Sequence, residues 1–362
     1  MRTWQGAETM PALFPLADVI AELARGLPPR SDSGFLGARL DPREAALVLI
    51  PVPWEATTSY GGGTSEGPAA IVRASHQLDL EDPAFGAPYR AGIAFAAPDE
   101  TVVGLNSRAR AAAFEVIAAL ESGAGAPAAL DLVNAAGAEL NAIVRESARE
   151  ALEQGRLVGV VGGDHSSPYG LIQALAERHH DGFGVLHVDA HHDLRAAYEG
   201  FTWSHASIFH NVMQNLPQVT RLVQVGIRDY SRAERGFAQG LGSRGAFFYG
   251  SDLFRLKAEG VPFREVCQRI VGALPDAVYV SFDIDGLEPS CCPSTGTPVP
   301  GGLSFDEAAY LLETLAASGR RVIGFDLCEV APSGAGDEWD ANVGARVLYK
   351  LCGCCLRSQR RC

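Results

Sequence analysis

The chain has 362 residues, enough for one large α/β domain or two ordinary ones. Hydrophobic residues at 47% and charged residues at 20% suit a large buried core and exclude a disordered chain. The balance of 30 basic against 43 acidic residues, a net charge of −13, argues against a nucleic-acid or membrane-surface partner and leaves room for a small cationic ligand.

The start, Met1-Arg2-Thr3-Trp4-Gln5-Gly6, lacks the apolar stretch of a signal peptide, and no run of ~18 apolar residues predicts a membrane span. Residues 1 to about 43 read as an N-terminal extension with one amphipathic helix near Leu16 to Leu27. From Ala45 onward short apolar runs alternate with helical patterns. The clear strands are Ala46 to Ile50, Leu157 to Val161, Phe183 to Val188, Leu222 to Val225, Ala277 to Phe282 and Val322 to Phe325. Gly92 to Phe95 and Ala246 to Tyr249 are weaker. Helices are expected over Ala138 to Gln154, Pro168 to Arg178, Phe263 to Leu274, Ser304 to Ala317 and Ala341 to Leu351. Apolar runs without strict alternation suit strands buried on both faces, and strand–helix alternation implies a parallel sheet with helices on either side. Glu121 to Leu130, rich in Gly, Ala and Pro, reads as a loop or small insertion. No repeat interrupts the pattern, so one domain over 44–356 and a tail over 357–362 are expected.

Of eight cysteines, five follow residue 300. They are not spread as a disulfide framework, and without a secretory signal reduced thiols in the cytoplasm are expected. Cys352, Cys354 and Cys355 lack a second Cys/His pair for a zinc site.

Three apolar strands end in polar clusters: Gly162-Gly163-Asp164-His165-Ser166, Asp189-Ala190-His191-His192-Asp193, and Asp283-Ile284-Asp285. Parallel sheets bind ligands beyond the carboxyl ends of their strands. In extended chain, side chains at i, i+2 and i+4 share a face, so Asp189, His191 and Asp193 project together, as do Asp283 and Asp285. His192 and Ile284 point away. A single Asp-x-Asp at a strand end is ordinarily a turn or salt bridge. Four carboxylates and two imidazoles on one rim would repel unless two divalent cations balanced them. Oxygen ligands with a minority of imidazole and no thiolate suit Mn²⁺. His187 reads as a core or supporting histidine, Asp164 as a supporting residue, and His179 and His180 as a solvated helix end.

At these residues the sequence resembles the ureohydrolase (arginase/agmatinase) family. Further matches are Gly286-Leu287 after the third cluster, Thr295-Gly296-Thr297-Pro298 with Gly301-Gly302, and Glu329-Val330-Ala331-Pro332; the similarity runs from about Ile50 to Leu351. The resemblance implies a three-layer α/β/α sandwich around a mostly parallel sheet of about eight strands, a homotrimer or hexamer, and two Mn²⁺ ions. His165 and Asp193 would hold one ion and His191 and Asp285 the other, with Asp189 and Asp283 bridging. Glu329 would pair with a substrate guanidinium, His205 would shuttle protons, and Asp193 would pass a proton to the leaving amine. Glu329 as a plain strand-end acid and His205 as a residue capped by Ser204 are the bland alternatives.

The departures bear on the substrate. Glu288 replaces the usual Asp before Pro289. Asp193 is followed by Leu194-Arg195 instead of the Asn-containing loop of arginases, and Ser231 stands where arginases tend to have an Asp. The sequence is thus closer to agmatinases. Arg195 could hold a substrate carboxylate, as a formiminoglutamase would need, or pair with an acid such as Glu199. A catalytically silent metal-bound subunit is the reading from another class; no expected residue is missing. Gly61-Gly62-Gly63 could rim the pocket, and Cys291 and Cys292 read as buried thiols.

Overall fold

A computed structural model describes residues 13–26 and 33–361. Its eight strands are β1 (Leu47–Val52), β2 (Ile93–Phe95), β3 (Leu157–Gly162), β4 (Phe183–Val188), β5 (Val219–Val225), β6 (Gly245–Phe248), β7 (Ala277–Asp283) and β8 (Arg321–Cys328). All pair in parallel, in the order β2-β1-β3-β8-β7-β4-β5-β6. The two strands that the sequence shows only weakly are the two edges. β2 spans three residues and β6 is half-buried throughout, so neither needs a long apolar run.

The helices are α1 (Leu16–Leu23), α2 (Gly67–Ala74), α3 (Glu100–Glu121), α4 (Pro127–Glu153), α5 (Tyr169–Arg178), α6 (Ile208–Asn215), α7 (Arg232–Gly240), α8 (Gly250–Ala258), α9 (Phe263–Gly272), α10 (Phe305–Ala317) and α11 (Trp339–Ser358). Strand residues alternate between two cores. Leu47 and Leu49 enter one, with Ile71 of α2, Ile270 of α9, Leu311 of α10 and Leu348 of α11. Val48, Ile50 and Val52 enter the other, with Leu105 of α3, Leu140 of α4 and Ile172 of α5. Helices cover both faces of the sheet, which is the expected three-layer α/β/α arrangement.

The reading of Glu121 to Leu130 as a loop is corrected. Only residues 122–126 separate α3 from α4, and Pro127 opens α4, where its missing N–H costs nothing. α1 ends at Leu23; the expected boundary Leu27, the segment Met1 to Gly6 and Cys362 lie outside the described residues. No described helix is long and apolar enough to cross a membrane. Cys352, Cys354 and Cys355 are all buried on α11. Successive helical residues turn by about 100°. The Cys354 and Cys355 thiols accordingly reach different backbone carbonyls, Leu312 and Val322, and do not converge on one point.

Candidate active site

The four central strands, β3, β8, β7 and β4, end side by side and deliver the polar clusters to one place. The close approach begins at Gly163. A Cβ there would lie 1.8 Å from the Trp54 carbonyl oxygen, the same oxygen that accepts the Asp164 N–H at 2.7 Å. The chain can therefore turn beneath the β1 loop only with glycine, and this aims His165 inward. After β7, Asp283 accepts the Asp285 N–H at 2.8 Å, a tight turn that sends Ile284 into the core and returns Asp285 to the rim.

His165 Nδ1 lies 3.1 Å from Asp189 Oδ2, 3.2 Å from Asp193 Oδ2 and 3.1 Å from Asp283 Oδ2. His191 Nδ1 lies 3.1 Å from Asp285 Oδ2 and 3.5 Å from Asp189 Oδ1. All six sequence-predicted ligands therefore converge, with the two Asp189 oxygens facing the two histidines. His192 points away, its Nδ1 2.6 Å from Gln224 Oε1.

The protons decide what such a cluster suits. Ser281 Oγ donates to Asp326 Oδ2 at 2.7 Å, so its oxygen accepts from His165 Nε2 at 2.9 Å. Nδ1 is then the lone-pair nitrogen, and it faces three carboxylate oxygens. Even a second proton on the ring could satisfy only one of them well; a divalent cation shared by all four groups satisfies them together. Asp326 is wholly buried in β8, where it also accepts from Tyr279 Oη at 2.7 Å. Its only sequence signal is an acid within an apolar strand. Asp326 thereby orients His165 through Ser281.

His205, on the loop before α6, lies with Nδ1 3.3 Å from Thr57 Oγ1, and Thr57 in turn donates to Asp164 Oδ2 at 3.2 Å. Ser204 begins the short turn there but makes no capping bond; its hydroxyl pairs with Ser207. The sequence reading missed Thr57, and it missed the role of Arg228. The Arg228 guanidinium donates to the carbonyls of Gly226, Asp285, Leu287 and Val299, tying the connection after β5 to the one after β7. Neither has a local signal, because their partners come from distant segments.

A family model described as the arginase family matches residues 45–353. The chain belongs to the arginase family. N(1)-aminopropylagmatine ureohydrolase of Thermus thermophilus is 34% identical over 293 residues, covering 80% of this chain and 84% of its own. The protein of the same name from Synechocystis is 29% identical over 329 residues, covering 88% and 92%. A crystal structure of a hypothetical agmatinase from Burkholderia thailandensis superposes with a TM-score of 0.69 at 25% identity, covering 92% of both chains. The chain is an agmatinase/arginase-like ureohydrolase, a hydrolase of C–N bonds in linear amidines, and its family is metal-dependent.

In this ureohydrolase a cavity of about 520 Å³ opens onto His165, His191, Asp193, Asp283, His205 and Glu329. Glu329 is buried, and its Oε1 accepts the His165 N–H at 2.8 Å. Burial first, and Asp164 second, raise its pKa well above the carboxylate range. Burial and the neighbouring Asp189 push Asp193 up to about 7. Burial opposes a charge on His165, but its three carboxylates outweigh it and hold the pKa well above the usual imidazole value; at His191, Asp285 and Asp189 do the same. Burial, then His191 and His165, push His205 down to about 3.

Arg195 also lines the cavity, but its charge is engaged. Its Nε lies 3.4 Å from Glu234 Oε2, and its guanidinium stacks over Tyr198. The partner is thus Glu234, not Glu199. Glu234 is buried and also accepts from Ser231 Oγ at 2.8 Å, within the cap of α7. Glu288 is exposed and is not among the residues lining the cavity. The glycine run is pinned: Gly63 N–H donates to Glu55 Oε2 at 2.6 Å, and a Cβ on Gly61 would lie 2.7 Å from Gly296 Cα. Cys291 and Cys292 are buried thiols.

Proposed function

We propose that this ureohydrolase uses two Mn²⁺ ions to cleave a small guanidino compound of the agmatine type into urea and an amine. The observation that carries the reading is His165 Nδ1 lying within 3.2 Å of three carboxylate oxygens, with His191 and Asp285 alongside. His165 and Asp193 would hold one ion, His191 and Asp285 the other, and Asp189 and Asp283 both. Held by these residues, two such ions would supply a nucleophile by lowering the pKa of water toward neutrality. Glu329 binds the guanidinium through charge-assisted hydrogen bonds and fixes its carbon against the attacking oxygen. Asp193 takes the proton released and gives it to the departing amine. His205, neutral and facing the cavity, moves protons between solvent and product.

With Arg195 and Glu234 balancing each other, Asp229 on the cavity wall favours cationic substrates. A carboxylate-bearing amidine such as formiminoglutamate would need the charge of Arg195, which Glu234 already balances. The guanidino reading is preferred for that reason. The family resemblance implies a homotrimer or hexamer, which light scattering tests.

The deciding assay is urea release by Mn²⁺-loaded protein from agmatine, N(1)-aminopropylagmatine, arginine, guanidinobutyrate, guanidinopropionate and guanidine. Urea from one of these, abolished in Asp283→Ala, is expected. No urea from any of them, with two metals bound per chain, sinks this reading.

A further inference from the structure

Beneath Asp189 lies a string of fully buried polar side chains that the reaction does not use: His187 on β4, Gln224 on β5, and His192. Buried polar groups without a role are costly, so their bonding is informative. His187 and Gln224 are register partners across the parallel pair, and His187 lies two residues before Asp189. His187 Nε2 is 2.7 Å from Asp189 Oδ2. Gln224 Nε2 is 2.7 Å from His187 Nδ1 and donates to the His192 carbonyl at 2.8 Å, while its Oε1 lies 2.6 Å from His192 Nδ1.

These contacts leave one arrangement of protons. A backbone carbonyl only accepts, so the Gln224 amide must turn its NH₂ toward His192 O. The second N–H of that amide points at His187 Nδ1, which must then be the lone-pair nitrogen. The His187 proton is on Nε2 and is donated to Asp189. At the far end His192 carries its proton on Nδ1 and gives it to the Gln224 oxygen. His192 Nε2 has no hydrogen-bond partner, in keeping with a ring enclosed by Tyr230, Phe247 and Tyr249.

We propose that Gln224 is a positioning residue of the metal centre: it holds His187 in the Nε2–H tautomer, and His187 thereby orients Asp189. This settles an ambiguity of the cluster itself. By distance alone, His187 groups with His165, Asp189 and Asp193 as a fourth possible ligand. A protonated Nε2 is a donor and cannot ligate, so His187 acts through Asp189. Asp189 is the carboxylate whose two oxygens face both histidines, so one fixed N–H steadies both halves of the site.

The inference rests on the proposed metal site, and its test separates the two. Mn²⁺ dissociation constants would be measured by titration on full-length wild type, Gln224→Met, His187→Phe and the double variant, with thermal unfolding recorded for each. Removing either residue is expected to weaken Mn²⁺ by about 10- to 100-fold, the usual effect of losing such an outer partner. The double variant is expected to be no weaker than the poorer single one, because both lesions cut the same chain. Effects that multiply, or a Gln224→Met chain that binds like wild type, overturn the proposal. Should Gln224→Met fail to fold, His187→Gln carries the test. It offers an N–H to Asp189 with no tautomer to choose, so it must keep affinity within a few-fold, and a large loss overturns the role assigned. A wild-type chain that binds no divalent cation defeats the metal site as well; normal wild-type binding with unaltered variants defeats only Gln224.

Discussion

Asp193 and Glu329 share an uncommon backbone, with φ of 53° and 64°. Side chains other than glycine rarely occupy this left-handed region, and doing so costs about 1–3 kcal/mol. Both residues are carboxylates of the site. The strain also marks where period-two reasoning stops applying: residues 189–193 lie outside β4, so Asp193 reaches His165 through a turned backbone and not through extended alternation. The six candidate ligands were legible in the sequence because chemistry clusters locally; the route by which each reaches the cluster was not. Glu329→Gln should keep the fold, since burial and Asp164 already favour an uncharged group there, and the amide has the same shape and can still accept the His165 N–H. It should lower kcat/KM by about a hundredfold, equivalent to about 2.7 kcal/mol, mostly through KM. Steady-state kinetics with a parallel melting curve tests both halves. His205→Asn should instead lower kcat by about 10²-fold or more with little change in KM.

The protons of the metal-free site predict its pH response. Asp193, pushed up to about 7, and Asp283, His165 and His191, all raised, take up protons that compete with metal as pH falls. Their raised pKa values mean that protonation grows as pH falls, so metal affinity should fall with it, most steeply below about 7. Titrations of Mn²⁺ at pH 6, 7 and 8 check the sign; an affinity that does not change or that strengthens in acid is the contrary result.

At the scale of elements, the six clear strands were readable because burial on both faces demands unbroken apolar runs. α3 was not. Its Ala-rich stretch from Arg108 to Leu120 buries small residues such as Ala109 and Ala113, giving only a faint apolar stripe. Its consequence for the site was equally hidden, since Arg110 of α3 donates to the carbonyls of Ala56 and Thr58, on either side of Thr57. Partnerships across the sheet, such as Gln224 with His187 and Asp326 with Ser281, leave no mark in a single segment. Gly163→Ala drives a methyl into the Trp54 carbonyl, so it should destabilise by several kcal/mol or prevent folding, read as loss of soluble protein or a lowered Tm.

At the scale of the molecule, the site joins four strands into one electrostatic unit. Removing bound metal leaves four carboxylates facing one another, and ligand linkage is lost at the same time. Chelation should therefore lower Tm by several degrees at neutral pH, with a smaller gap in mild acid, where protons take over part of the screening. Scanning calorimetry with and without a chelator measures it.

The strand order has a further consequence for how the protein is made. β7 and β8, the two middle strands, are the last to be synthesised. Until residue 283 has left the ribosome the nascent chain can form only two separate half-sheets, β2-β1-β3 and β4-β5-β6. The inner edges of both, β3 and β4, are strands fully buried in the finished sheet and unpaired during that interval. A chain halted at Pro275 should aggregate unless a chaperone shields those edges. The full-length protein should lean on chaperones during translation far more than when it is refolded from denaturant, where all eight strands are available at once.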